Sequence, residues 1–147
     1  MFKHLLVPTD GSALSQSAVA RAVSFAQDAG ARITFFYAEP EASAAYMGLG
    51  AIANPHLAQD LQARLDGAAQ DILDAAVQQA REAGVDSQAE ARTGNRPDEL
   101  IIAAAQAHGC DLIFMASHGR RGVEALLLGS ETQKVLTHST IPVLVYR

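Results

Sequence analysis

The chain has 147 residues, of which 49% are hydrophobic and only 5% aromatic, with a formal charge of −5 at neutral pH. That length fits one domain, residues 1–147, around a self-sufficient core of Ala, Leu, Val and Ile, and the composition excludes disordered and fibrous classes. The acidic balance argues against nucleic acid or an anionic membrane surface as the main partner.

The opening "MFKHLLVPTDGS" reads as a strand over about 3–8, and its apolar stretch is too short for a signal peptide. A helix is expected over about 13–29, with Leu14, Ala18, Ala22, Phe25 and Ala26 on one stripe. A unit then recurs, in which a helix ends in glycine and an apolar strand follows: "DAGARITFFYA", "EAGVDSQAEAR" and "AHGCDLIFMAS". It sets Gly30, Gly84 and Gly109 just past helix ends, where a left-handed backbone favours a residue without Cβ. The expected strands lie at about 32–38, 87–93, 111–116 and 142–146, and the helices at about 57–83, 97–108 and 130–138.

Residues 41–56, with Tyr46, Met47, Gly48 and Gly50, form a long connection that is either a mobile linker or a lid. Pro97 fits a first helical position, followed by Asp98 and Glu99 where the helix dipole favours them. "LIFMA" and "VLV" are continuous apolar runs of the kind found in strands covered on both faces. Strand–helix alternation predicts an α/β fold with a parallel, doubly wound sheet. Apolar runs such as "LIIAAA" at 100–105 are too short to cross a bilayer, and the lone Cys110 fits a reducing compartment. A cytoplasmic location is therefore expected, with Cys110 a buried, unreactive thiol.

In such sheets ligands bind beyond the carboxyl ends of the strands, where the strand order reverses. The first strand ends in "VPTDGS" (7–12) and the fourth in "MASHGRRG" (115–122), so adjacent strands would bring these loops to one crevice. Gly119 and Gly129 are expected to leave backbone N–H groups open to phosphate. Ser130 offers a hydroxyl at a helix start, where unpaired amides and the dipole favour an anion. "SETQ" at 130–133 also reads as a capping box, and Asp10 or Ser12 as the cap of the first helix. Arg120 and Arg121 are either phosphate contacts or solvated loop arginines, Arg120 being nearer the cradle. His118 has no carboxylate placed in sequence to orient it as a base. His4, His56, His108 and His138 show no metal-ligand spacing.

"PTDGS" after the first strand, "ASHG" after the fourth, nine residues, "GS" and a closing "PVLVY" resemble the universal stress protein family over essentially the whole chain. Its ATP-binding members carry Gly, two residues, Gly, nine residues, Gly, then Ser or Thr. Here that spacing runs through Ala116, Gly119, Gly129 and Ser130, with alanine in place of the first glycine. The resemblance implies the strand order 3-2-1-4-5 of a Rossmann-like sandwich of the adenine nucleotide alpha hydrolase kind. It implies ATP, with Mg or Mn, in the crevice between strands one and four. Pro8, Thr9 and Asp10 would line the ribose and adenine side, with the main chain of Ala38 facing the base. Met115, Ala116, His118, Gly119, Arg120, Gly129, Ser130 and Glu131 complete the implied contacts, and no side chain is assigned as a metal ligand.

The function expected from the resemblance is a cytoplasmic, ATP-binding stress-response or signalling module. It would be a homodimer through the last strand, with an unidentified client protein as a further partner. The alternatives are a nucleotide-free dimeric adaptor of the same family and a slow ATPase or autophosphorylating enzyme. No residue stands out as a base for activating water, which weighs against the enzyme. Adenylating enzymes with a Ser-Gly-Gly loop after strand one are excluded by its absence. Flavodoxin-type flavin binding is disfavoured, because "PTDGS" lacks a hydroxyl-rich turn for flavin phosphate.

Overall fold

The computed structural model describes residues 1–41, 55–119 and 127–147. In chain order the elements are β1 (His4–Pro8), α1 (Ala13–Ala29), β2 (Arg32–Glu39), α2 (Pro55–Glu82), β3 (Ser87–Thr93), α3 (Pro97–Ala107), β4 (Leu112–Ala116), α4 (Ser130–His138) and β5 (Val143–Tyr146). The strands form one sheet in the order β3-β2-β1-β4-β5, and every pairing is parallel. The α/β class, the doubly wound sheet and the order 3-2-1-4-5 are thus observed.

The sheet is covered on both faces, so its central strands are apolar without alternation. On one face Leu5, Val7, Ile33, Phe35 and Phe114 pack against Ala18, Ala22 and Ala26 of α1 and Ala69, Leu73, Ala76 and Ala80 of α2. On the other, Leu6, Phe36, Ile113 and Met115 meet Ile101, Ala104 and Ala105 of α3 and Val135 of α4. Phe35, Phe36, Leu5 and Leu6 are fully enclosed, and each such side chain stabilises the fold by about 1.5–3 kcal/mol. The stripe on α1 includes Val19 and Val23 as well as the three alanines, while Leu14 and Phe25 are only partly buried at its margin.

The edges behave differently. β3, "SQAEART", shows little of the apolar pattern and is largely exposed. β5 is apolar but only half-buried along its whole length, because an edge strand has a neighbour on one side only. The "VLV" run is therefore covered less completely than "LIFMA", all five residues of which are buried. Gly30, Gly84 and Gly109 have φ of 62°, 71° and 65°, the left-handed turn that releases each helix into the next strand. β4 begins at Leu112, one residue later than expected, and Asp111 before it turns its carboxylate to the amides of Lys3 and His4.

Candidate functional site

β1 and β4 pair in parallel, with Leu5 opposite Leu112 and Leu6 opposite Ile113, so both carboxyl-end loops lie at the switch point of the sheet. The loop after β1 is tied down internally. The buried hydroxyls of Thr9 and Ser15 share a 2.6 Å hydrogen bond, and Ser15 Oγ also accepts from the Asp10 amide at 3.1 Å. Asp10 Oδ1 accepts from the Ser12 amide at 3.0 Å, and Ser12 Oγ accepts from the Ser15 amide at 3.3 Å. Ser12 is therefore the cap of α1, and Asp10 orders the turn before it. Gly11, with φ 76°, lets the chain reverse between them.

The loop after β4 reaches α4 through backbone. Ala116 ends β4 opposite Tyr146, and its carbonyl accepts from the buried Thr132 hydroxyl at 3.1 Å. The Ser117 amide donates to Tyr146 O at 2.8 Å, and Ser117 O accepts from the Gly129 amide at 2.7 Å. That last bond corrects the expectation that the Gly129 N–H stays open. Among the described residues no acceptor meets the amides of Ser130, Glu131 and Thr132 in the first turn of α4, nor those of His118 and Gly119 in the loop before it.

The two motif glycines serve close approach. Gly129 has φ −60° and ψ 151°, which any residue adopts, but a Cβ there would stand 3.1 Å from His118 Cα and 3.2 Å from Ser117 O. A Cβ on Gly119 would run into the Asp10 carboxylate. Gly119 thus lets the loop after β4 lie against the loop after β1, and the two sides of the crevice meet at Asp10 and Gly119.

The capping-box reading of "SETQ" is not what forms. Gly129 is the cap position and has no side-chain acceptor, Ser130 is the first helical residue, and Gln133 Nε2 donates to Leu128 O at 3.0 Å. The Ser130 side chain is exposed, and among the described residues its hydroxyl makes no hydrogen bond. The Glu131 side chain is turned to its own fold: Oε2 accepts from the Asp98 amide at the start of α3 at 3.2 Å, and Oε1 pairs with Lys134 at 3.1 Å. Met115 is buried among the α3 and α4 contacts, so its side chain lies below the crevice floor. His118 Nδ1 lies 3.2 Å from Ser117 Oγ, and among the described residues no carboxylate holds the ring.

Ala38 is two residues beyond Phe36, whose carbonyl accepts from the Thr9 amide at 2.9 Å. By the two-residue strand period its main chain points to the same side, past the point where β1 ends at Pro8. Burial pushes the Cys110 thiol up to about 11, so it stays protonated at neutral pH. Arg120, Arg121 and most of the 41–56 connection, including Tyr46, Met47, Gly48 and Gly50, lie outside the described residues. Among the described residues no group of three or more His, Cys, Asp or Glu is placed to hold a metal ion. A cavity of about 370 Å³ between α1 and α2 is lined in part by Thr9, Gly11 and Gln16, beside the crevice.

Sequence reasoning missed three contributors. Thr132 and Ser15 are hydroxyls inside helices that prove 2% exposed and hydrogen-bonded to the loops, and Glu39 is a carboxylate that is 4% exposed at the end of β2. Each sits beside a loop that the sequence did mark, which was the available signal.

A parallel sheet in this order, with two loops meeting at its switch point and a helix start left without a side-chain cap, defines a Rossmann-like α/β protein. The chain belongs to the universal stress protein family, whose model matches residues 1–147. It is 32% identical to universal stress protein YxiE of Bacillus subtilis over 149 residues, covering 100% of both chains. Among solved structures, protein MJ0577 superposes with a TM-score of 0.82 at 26% identity, over 99% of this chain and 95% of that one. The universal stress protein UspA of Lactobacillus plantarum gives 0.80 at 27%, over 99% and 98%.

More distant relatives, which speak for the fold alone, were solved with nucleotides. One is a universal stress protein in complex with cAMP (24% identity, TM-score 0.71, 99% of this chain and 96% of that one). Another is an Arabidopsis thaliana family protein with AMP bound (17%, 0.69, 97% and 90%). A third is the Archaeoglobus fulgidus protein with dAMP (15%, 0.66, 100% and 98%).

Proposed function

We propose that this universal stress protein binds an adenine nucleotide, ATP by preference, across the β1/β4 switch point. The observation that carries the reading is the first turn of α4. Its Ser130, Glu131 and Thr132 amides and an exposed serine hydroxyl form an uncapped, positively polarised helix start beside the Ser117–Gly119 loop. Phosphates belong there, with Mg or Mn as counter-ion and Arg120 beside them, while Pro8, Asp10 and the main chain of Ala38 line the base and ribose side. The adenine nucleotides bound by the three distant relatives support that ligand class.

The protein then acts as a nucleotide-dependent stress-response or signalling module, with a client protein as its further partner. Among the described residues no helix is long and apolar enough to cross a membrane, and the unpaired Cys110 fits the cytoplasm. Mass spectrometry of nucleotide released from freshly purified, denatured protein tests the assignment. Recovered ATP supports it, ADP points to turnover, and an empty protein that also fails to bind added ATP overturns it.

The half-buried β5 edge favours a second feature. Val143, Leu144 and Val145 leave an apolar sheet edge open, which in a lone chain invites aggregation. A self-complementary pairing with β5 of a second copy covers it. Val143→Lys together with Val145→Lys is expected to split the dimer, and a monomeric wild type in sedimentation at micromolar concentration would refute the pairing.

A further inference from the structure

Glu39, the last residue of β2, is a carboxylate that is 4% exposed. Gln62 of α2 donates one side-chain nitrogen, Nε2, to Glu39 Oε1 at 3.0 Å and to Asp66 Oδ1 at 2.8 Å. Two carboxylates that share a single amide nitrogen are neighbours, and when both are ionised each is only an acceptor.

Among the described residues no cation pairs with either. On β3, Glu39 lies opposite the uncharged Thr93. Arg92 lies opposite Ala38, hence on the other sheet face, where it pairs with Glu90 at 2.5 Å. The buried face of α1 (Ser15, Ala18, Val19, Ala22, Val23, Ala26) carries no charge. Glu41, two residues on, accepts from Asn95 at 2.9 Å. Among the described residues, Asp66 on α2 is thus the charged group that acts on Glu39.

We propose that Glu39 and Asp66 form a proton-operated latch: one proton shared by the two carboxyls fastens the early turns of α2 to the end of β2, and its loss loosens them. Burial first, and then Asp66, push the Glu39 carboxyl up from 4.5 to about 6. Gln62 and then Glu39 hold Asp66 below the usual carboxylate range. The proton therefore sits on Glu39 and points at an ionised Asp66. Because the folded state raises the Glu39 value, the latch is complete below 4.5 and is lost as pH rises through about 6.

The latch stands at the ligand end of the sheet. Glu39 directly follows Ala38, and α2, which returns the chain from β2 to the parallel β3, begins at the carboxyl ends of the strands. Closing it orders one wall of the crevice in advance, which favours a ligand there. That consequence rests on the nucleotide reading; the latch itself does not.

Hydrogen exchange of the full-length, nucleotide-free protein at about pH 5 and about pH 7.5, corrected for intrinsic exchange rates, tests the latch directly. Amides over residues 59–67 are expected to be at least about threefold better protected at the lower pH. Glu39→Gln keeps a donor toward Asp66 without titrating, and should show the same protection at both. Asp66→Asn should flatten the dependence as well. Equal wild-type protection at the two pH values, or wild-type pH dependence retained in Glu39→Gln, overturns the proposal.

Titration with cAMP, whose phosphodiester charge is constant over this range, reads the coupling. Binding should tighten at the lower pH in the wild type and not in Glu39→Gln. Protection that follows pH without any cAMP or ATP binding upholds the latch and refutes the nucleotide reading instead.

Discussion

The turns after β1 and after β4 both carry the chain from a buried strand to a helix at the same end of the sheet, yet they are finished in different ways. In the first, side chains close the helix start: Ser12 caps α1, Asp10 holds the Ser12 amide, and Thr9 and Ser15 bond each other out of solvent. In the second, the cap position is a glycine whose amide is held by Ser117 O, and the next three amides meet no side chain among the described residues. A glycine cap lowers stability by only roughly a few tenths of a kcal/mol relative to a Ser or Asp cap, so leaving this helix start without a side chain costs the fold little. The contrast teaches where the polar groups are spent: in the first loop on its own helix, in the second on backbone contacts that leave the start of α4 available for the anion proposed above.

The largest break in this comparison is expected from Gly129→Val. The added carbons would press on the backbone of Ser117 and His118, which cannot give way as a flexible side chain would. Overpacking of this kind costs about 1–3 kcal/mol, and here it falls on the distance between the two parts of the proposed cradle. ATP affinity should drop by roughly tenfold or more while the circular dichroism of the fold persists. Calorimetry that finds wild-type affinity would move the phosphates away from α4.

Thr132→Val comes next. It is nearly isosteric and removes the hydroxyl that ties the first turn of α4 to Ala116 O, leaving that buried carbonyl without its partner. Stability should fall by about 1–2 kcal/mol in denaturant unfolding, and nucleotide affinity with it; Thr132→Ser should restore both. Unchanged unfolding in Thr132→Val would mean that the contact is not a tie.

A matched pair then sharpens the contrast. Ser12→Ala should lower stability by about 1 kcal/mol and leave ATP affinity alone, since its oxygen is committed to the Ser15 amide. Ser130→Ala should do the reverse, weakening ATP by about 1 kcal/mol with no change in unfolding. If both variants alter the same property, the two helix starts are not the different devices that their geometry implies.

Much of the frame was legible because local chemistry dictates it. Gly30, Gly84 and Gly109 mark helix ends by conformational necessity, and they located even β3, whose sequence is polar. The meeting of the two loops was legible too, given the strand order. What escaped the sequence depends on three-dimensional register. That the Gly129 amide faces Ser117 O, that Glu131 reaches across to α3, and that Glu39 lies beside Asp66 are consequences of packing between distant segments. Motif spacing places a residue in a loop but does not say which of its polar groups remain available.

The smallest expected effect concerns Ala116, where the family's ATP-binding pattern has glycine. A glycine serves either a positive φ or a close approach. Ala116 is the last residue of β4, paired with Tyr146, so extended backbone suffices and the first duty does not arise. Its carbonyl is held by Thr132, which fixes the strand end whichever side chain is present. Ala116→Gly should therefore lower stability by about 0.5–1 kcal/mol, the conformational cost of glycine in a strand. ATP affinity should stay unchanged or tighten slightly, since one methyl is absorbed by a small shift of the ligand. Side-by-side titrations and unfolding curves read both. A wild type that shows no saturable binding beside an Ala116→Gly variant that does would mean that this methyl closes the crevice, and the protein would then be a nucleotide-free adaptor.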